Sequence, residues 1–333
     1  MRRIALCLIL AAGFLAEGLG ANDSVAEMAA GGLVLRQTDD IDMLSEDLYV
    51  SADRIRVSYV FRNRRPGDVR VTVAFPMPDR DLSETRYQEA VFPRDFATRV
   101  DGRPVRMRVE RKAMRGGVDH SALLSRLGLP SVPDDDEALT AVIDRLTPTQ
   151  QRDLLDRGLV EPVDYDMGRG MRRYFEPMWT VKESWYWEQV FPAGRDLAVE
   201  HEYVPGTGGS AGTTLAFPEL RDEPEARAQY ADFCVDRDFV AAVDRMTARS
   251  TPADPSLLTE QRIRYVLTTG ANWRSPIGRF RLVVDKGRPD HIVSFCGENL
   301  RRIGPTQFEM RRENWRPDRD LAVLIIRRQR LEE

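Results

Sequence analysis

Two stretches of the chain carry residues that could do chemistry. Gly208-Gly209-Ser210-Ala211-Gly212 spells G-x-S-x-G, the turn on which an α/β-hydrolase presents its serine, and His291 follows in the order such enzymes use for the base. Together they would support acyl transfer, with His291 taking the proton as the Ser210 oxygen attacks an ester carbonyl. That turn works where a strand runs sharply into a helix. Here Pro218 follows closely and no alternating strand–helix units flank it, so the letters are present without their context. The overlapping Gly206-x-Gly208-x-x-Ala211 matches a dinucleotide fingerprint by letter as well. Thr-Thr-Leu-Ala-Phe-Pro follows it instead of a helix, which leaves no helix N-terminus for a pyrophosphate.

The second stretch is VKESWYWEQVFPAG, Val181 to Gly194, where Trp185 and Trp187 flank Tyr186. Trp179, Val181, Trp185, Trp187 and Phe191 fall on one strand face, and after Pro192-Ala193-Gly194 the residues Leu197, Val199 and Tyr203 again share a face. The pattern reads as a hairpin with Trp187 opposite His201 and Trp185 opposite Tyr203, an aromatic core packing. Glu183 and Gln189 interrupt the apolar face, so Glu183, Trp185, Trp187 and His201 are also the candidates for a ligand-binding surface. No metal-ligating motif accompanies them. The three histidines, His120, His201 and His291, form no H-x-H or H-E-x-x-H pair. The acidic run Asp134 to Glu137 lacks the spacing and central glycine of a calcium loop and fits a helix N-terminus. No cofactor is expected.

The elements that would position these residues are mainly strands. DRIRVSYVFRN alternates Ile55, Val57, Tyr59 and Phe61 with polar residues, and DVRVTVAFPMP repeats the pattern after Arg65-Pro66-Gly67, which predicts a hairpin. A second hairpin is predicted at Asp101-Gly102. Leucines and valines recur at helical spacing between Gly116 and Glu161, punctuated by Pro130, Pro133 and Pro148, predicting three short helices. Strand patterns resume at Trp179 and continue to the C-terminus, with one helix near Arg237 to Ala248. Near the start, Ser24 and Glu27 form a capping-box pattern before Gly31-Gly32, predicting a helical turn over Val25 to Ala30. The expected fold is mainly β: two β-sandwich-like modules, 22–115 and 171–333, with a small α-helical insertion, 116–170.

Met1-Arg2-Arg3, the apolar run Ile4 to Ala16 and the small residues Gly18, Gly20 and Ala21 make a tripartite secretory leader, with cleavage expected after Ala21. The run is shorter than the roughly 20 residues a membrane span needs, so no transmembrane anchor is expected in the mature chain. Removing 1–21 takes away Arg2, Arg3 and Glu17, so the formal net charge goes from −4 to −4 − 2 + 1 = −5. That mildly acidic balance argues against nucleic acid as a partner. Of 49 basic residues only Lys112, Lys182 and Lys286 are lysines. Cys7 leaves with the leader, and the two remaining cysteines, Cys234 and Cys296, are expected to pair in an oxidising compartment.

Several of these phrases in order, "A-N-D-S-x-A-E-x-A-A-G-G-L", "S-E-D-L-Y-V-S", "W-x-W-x-Q-V-F-P-A-G", "A-N-W-x-x-P-I-G-x-F-x-L-x-V-D-K-G", "V-S-F-C-G" and "I-G-P-T-x-F-E-M", resemble the bacterial domain-of-unknown-function 4424 family from about Asn22 to about Ile325. The resemblance implies an exported bacterial protein and brings no catalytic residues with it. The sequence thus points to an exported, periplasmic or secreted, binding or structural module whose partner is an unidentified periplasmic protein or small molecule. The alternative is a periplasmic serine hydrolase using Ser210 and His291.

Overall fold

The computed structural model describes residues 22–29, 32–83, 93–166, 168, 170–210, 212–251 and 256–330. The expected leader, 1–21, lies outside the described residues, as do Gly31 and Ala211. The chain begins with β1 (Ser24–Ala29), β2 (Gly32–Arg36), β3 (Ile41–Ser51), β4 (Ile55–Asn63), β5 (Val69–Pro76) and β6 (Arg80–Asp81). Next come β7 (Arg94–Val100), β8 (Arg103–Val105), β9 (Arg108–Arg115) and β10 (Val118–Asp119). The helical stretch holds α1 (Ser121–Arg126), α2 (Asp136–Ile143) and α3 (Pro148–Asp156), followed by β11 (Val160–Asp166), β12 (Met171–Pro177), β13 (Thr180–Phe191), β14 (Asp196–Val204) and β15 (Gly208–Ser210). After α4 (Pro218–Arg221), α5 (Pro224–Tyr230) and α6 (Arg237–Thr247) the chain closes with β16 (Ser256–Tyr265), β17 (Ile277–Asp285), β18 (Ile292–Phe295), β19 (Arg301–Arg302), β20 (Gln307–Trp315) and β21 (Leu321–Arg330).

The fold is mostly β and sandwich-like. Among the described residues an eight-stranded sheet runs β19-β20-β17-β3-β4-β14-β7-β8, and a seven-stranded sheet runs β10-β9-β13-β5-β1-β2 with β6 beside β13. A four-stranded sheet, β15-β16-β21-β18, and the β11-β12 ribbon complete the set. In the eight-stranded sheet β17 pairs in parallel with β3, so strands more than 200 residues apart are neighbours, Leu282 against Leu48.

The largest core draws on three sheets: Val57, Tyr59, Phe61 and Val199 from the eight-stranded one, Phe75 and Phe191 from the seven-stranded one, Tyr265 and Val323 from the four-stranded one. A second core packs the three predicted helices, through Leu124, Leu139, Ile143 and Leu154, on Trp179 and Val181. Asp135 caps α2 by accepting from the Ala138 amide at 2.7 Å, so one residue of the acidic run serves the helix start. A third core packs Phe233, Phe239 and Val243 on Leu258, Leu324 and Ile326. β21 is therefore buried on both faces, Leu321, Val323 and Ile325 toward one core and Ala322, Leu324 and Ile326 toward another. That is why its sequence, Leu-Ala-Val-Leu-Ile-Ile, is apolar without alternation.

Three local expectations are corrected. β4 and β5 form no hairpin at Arg65-Pro66-Gly67: β4 pairs with β3 and β14, and β5 with β13 and β1. β13 and β14 likewise do not pair with each other. β13 bonds β5 and β9, while β14 bonds β4 and β7. Both turns carry the chain from one sheet to the other, and the Asn63 side chain ties them by donating to the carbonyls of Gly67 and Phe191 at 2.8 and 2.9 Å. Period-2 alternation fixes which face of a strand points inward, not which strand it bonds, and a crossing between sheets has the same pattern as a hairpin. Where a helical turn is predicted over Val25–Ala30, the described part, Val25–Ala29, is strand, within β1 between β5 and β2, and Ala30 lies outside the described residues. A one-turn helix is costly to nucleate, whereas β1 gains two ladders and a cross-strand ion pair of Glu27 with Arg36. The hairpin at Asp101-Gly102 forms as expected, between β7 and β8.

The double burial of β21 gives a direct test. Leu324→Ala is expected to destabilise the protein by about 2–5 kcal/mol in urea unfolding, and Leu257→Ala, at a side chain 44% exposed, by no more than about 0.5 kcal/mol.

Candidate functional site

On β13, Glu183, Trp185, Trp187 and Phe191 lie on the face turned toward β14. Trp187 touches His201 across the sandwich, ring centroids 5.7 Å apart, and Trp185 stacks on Phe96 at 4.9 Å. The contact expected along a hairpin is made between layers. The polar residues that interrupt the stripe have an internal use: Trp185 Nε1 donates to Glu183 at 2.8 Å and Trp187 Nε1 to Gln189 at 3.0 Å. The second Glu183 oxygen accepts from Arg111 Nε at 2.6 Å, a buried carboxylate against a half-exposed guanidinium. These four candidate residues commit their polar atoms to one another and to the protein.

Next to the stripe is a polar cluster that is almost wholly buried. Asn22 and Asp23, just before β1, and Ser24, its first residue, lie in the interior. The Asn22 backbone N–H donates to Thr269 Oγ1 at 2.6 Å, and Thr269 returns a bond to the Asn22 carbonyl at 2.7 Å. Asn22 Nδ2 donates to Glu46 at 2.9 Å, and Tyr59 OH donates to Asn22 Oδ1. Tyr265 OH in turn meets Tyr59 OH at 2.9 Å. Trp273 Nε1 donates to the Asp23 carbonyl at 2.7 Å, and the Asp23 carboxylate meets His201 Nε2 at 3.1 Å, with Thr98 on the other ring nitrogen at 2.8 Å. Glu46 faces inward because β3 is bulged between Met43 and Ser45, which turns Glu46, Leu48 and Val50 to the core. Burial pushes the Glu46 carboxyl up to about 8, against the help of Asn22 and reinforced by the charge of Asp23. Burial also raises Asp23, offset in part by His201. Among the described residues, Asp23 Oδ2 and Glu46 Oε1 have no hydrogen-bond partner.

Ser210 and His291 are not brought together. Ser210 on β15 is opposite Glu260, Glu260 opposite Ile326, and Ile326 opposite Ile292, so three strand spacings, about 14 Å, separate Ser210 from the residue after His291. Ser210 Oγ donates to the Gly212 carbonyl, and His291 Nδ1 lies 2.8 Å from the Lys286 carbonyl. Among the described residues no group of three or more His, Cys, Asp or Glu could hold a metal ion, and no helix is long and apolar enough to cross a membrane.

Cys234 and Cys296 form the expected disulfide, with Cα atoms 5.1 Å apart. It joins the turn after α5 to the end of β18. Two clefts adjoin it, about 430 and 450 Å³, sharing Cys296 and the loop from Asp318 to Leu321. The first is floored by Tyr265 and rimmed by Asp232 and Arg264, paired at 2.8 Å. The second is rimmed by Glu298 and Arg312, also paired at 2.8 Å. Asp320 anchors the shared loop, accepting from the Leu267 and Thr268 amides at 3.1 Å each and from Thr268 Oγ1 at 2.8 Å. Burial raises its carboxyl against those bonds. The sequence offered no motif for either the cleft or the buried cluster. The one trace was that the phrases A-N-D-S and A-N-W, remote in the chain, meet here as Asn22 to Ser24 and Asn272-Trp273.

The chain belongs to the family described as a domain of unknown function (DUF4424), whose model matches residues 21–324. Among curated proteins none matches the sequence. Of solved structures, it is similar to a candidate nutrient-binding protein of Legionella pneumophila, 14% identical, covering 92% of this chain and 70% of that chain, with a TM-score of 0.44. It is also similar to an M1 zinc metallopeptidase variant of Deinococcus radiodurans, 9% identical, over 87% of this chain but 43% of that chain, with a TM-score of 0.25.

The stripe makes a measurable distinction. Trp187→Ala is expected to cost about 3–5 kcal/mol in thermal or urea unfolding, the range for a truncated core aromatic. Trp185→Ala, at a side chain only partly buried, is expected to cost less. An unchanged midpoint in Trp187→Ala would mean that the stripe is not packing.

Proposed function

We propose that this member of the DUF4424 family is an exported binding module that holds a small ligand, carrying both a positive and a negative group, in the paired clefts beside the Cys234–Cys296 bridge. The observation that carries this reading is the charge around the two clefts: Asp318 and Arg319 border both, Asp232 and Arg264 the first and Glu298 and Arg312 the second, so each presents both signs beside Leu321. A cleft of this size with an apolar floor and a few convergent polar groups suits a small molecule. The Asp232–Arg264 pair is exposed, as is Glu298 of the pair with the partly buried Arg312, and exposed pairs contribute only about 0–1 kcal/mol. A ligand with its own carboxylate and ammonium can replace them at little loss. The disulfide supports the reading by fixing Cys234 on the helical cover and Cys296 on the sheet, so the walls are held before a ligand arrives.

Export rests on the leader pattern at 1–21 and suits a disulfide-bearing chain, since such bonds persist in oxidising compartments. Periplasmic location is part of the same proposal. The hydrolase alternative is less well supported, because Ser210 and His291 would have to come within hydrogen-bond reach. The set Glu183, Trp185, Trp187 and His201 fits packing better than recognition, since its polar atoms already have partners inside the protein.

The test is a thermal-shift and calorimetric survey of free amino acids and short dipeptides against the exported protein. A ligand present at a hundred times its Kd adds about 2.7 kcal/mol of stability. Arg319→Ala and Asp318→Asn are expected to weaken binding at least tenfold while leaving the unliganded midpoint in place. Binding that survives both substitutions would contradict the cleft assignment, and ester hydrolysis abolished by Ser210→Ala would favour the hydrolase instead.

A further inference from the structure

The buried cluster at Asn22 contains more negative charge than its partners answer. Asp23 and Glu46 are enclosed together, each with one carboxylate oxygen that lacks a partner among the described residues. Asn22 and Asp23 from the entering segment, Tyr59 from β4 and Tyr265 from β16 face Glu46, while His201 from β14 meets Asp23, Thr269 meets Asn22, and Tyr203 from β14 lies beside Tyr265. Burial holds all three tyrosines above their ordinary range, so they stay neutral hydroxyls. His201 is the only basic side chain of the set, and it serves Asp23. A buried charge without a counter-charge is strongly unfavourable, and a buried pair needs both its ions and its hydrogen bonds.

The same cluster holds a backbone nitrogen that can become a cation. Asn22 N is buried and donates its single amide hydrogen to Thr269. Cleavage of the peptide bond after Ala21, the position at which the leader pattern ends, turns that amide into an ammonium with three donors and a positive charge. It does so on the residue whose side chain already bonds Glu46, next to Asp23. The fit around Asn22 is close: a Cβ added at Gly270 would stand 2.7 Å from Asn22 Nδ2, so the turn at residues 268–272 is shaped to this residue. We propose that Asn22 is the first residue of the exported protein and that its α-ammonium is the buried counter-ion of Glu46 and Asp23, so that removal of the leader completes the core. The reaction is peptide hydrolysis: water adds across the Ala21–Asn22 bond, leaving a carboxylate on the leader and the amine on Asn22. An exported processing peptidase is the class of enzyme required. This inference does not depend on the ligand-binding proposal.

The test begins with the protein exported under its own leader. Intact mass and N-terminal sequencing are expected to give Asn22 as the first residue, and a start at any other residue would overturn the proposal. At pH 8 an amine-reactive acylating reagent is expected to label that α-amine at least tenfold more slowly in the folded protein than in urea; equal rates would also overturn it. A form carrying one additional residue, Ala21, supplies the second measurement. With the ammonium moved out to Ala21 and Asn22 N kept as an amide, Glu46 titrates at about 8 when folded and near 4.3 when unfolded. The folded state then holds more protons in that window, and stability falls as pH rises from about 4.5 to about 8. The form beginning at Asn22 is expected to lack this decline, because the ammonium keeps Glu46 ionised. Glu46→Gln should remove the difference between the two forms. Identical pH profiles for the two forms would contradict the assignment, and the labelling experiment decides the matter if the Gln variant does not fold.

Discussion

Burying two carboxylates between β-sheets is a demanding constraint, and the core of this protein is arranged around it. Ions withdrawn from water cost several kcal/mol each unless they are paired and hydrogen-bonded. The inner faces of the two large sheets are accordingly not uniformly apolar at this point. Asn22, Tyr59, Thr98, His201, Tyr265, Thr269 and Trp273 supply donors and acceptors in one connected set. The set also links distant parts of the chain. Asn22 bonds Thr269 and Asp23 bonds Trp273, separations of 247 and 250 residues. The parallel pairing of β3 with β17 makes the same link in the backbone. The cluster forms only once these two distant segments have met, so it acts as a closure between them.

Around that closure the aromatic residues insulate the ionic groups. Phe75, Phe96 and Trp187 lie with ring centroids 4.8 to 5.7 Å from that of His201. Low local dielectric strengthens each hydrogen bond in the cluster and raises the cost of each unmet one. The clefts at the disulfide are a different kind of region: Asp232, Arg264 and Glu298 are exposed to solvent there. One chain thus keeps desolvated charge inside and solvated charge at the surface. The second is where recognition is proposed.

What could be read from the sequence follows from which signals are local. Alternation at Ile55, Val57, Tyr59 and Phe61 gave a strand with the correct inward face, because burial imposes period 2. The three helices between Gly116 and Glu161 and the helix near Arg237 were visible for the equivalent reason, period 3.6. An even cysteine count sufficed for Cys234 and Cys296. Partner choice was not visible: β4 and β5, or β13 and β14, cross between sheets with the residues of a hairpin. The Ser24–Glu27 capping pattern misled because β1 obtains its bonds from β2 and β5, which no window of six residues contains. The closure itself was hidden for the same reason. Glu46, in the middle of β3, is turned inward by a bulge that no local pattern announces, and Gly278, whose Cβ would stand 2.6 Å from the Leu44 carbonyl, is what lets β17 approach that bulge.

The segment Asn22–Ser24 bonds Glu46, His201, Thr269, Asn272 and Trp273 and so ties the eight-stranded sheet to the turn after β16. Native-state hydrogen exchange on a chain beginning at Asn22, compared with one beginning at Val25, tests this most directly. Losing three residues is expected to lower amide protection in β3, β4, β14 and β17 together, since the cluster bonds to β3, β4 and β14 and β17 pairs with β3. Loss of protection confined to β1 and β2 of the seven-stranded sheet, with the eight-stranded sheet unchanged, would show instead that the segment only caps an edge.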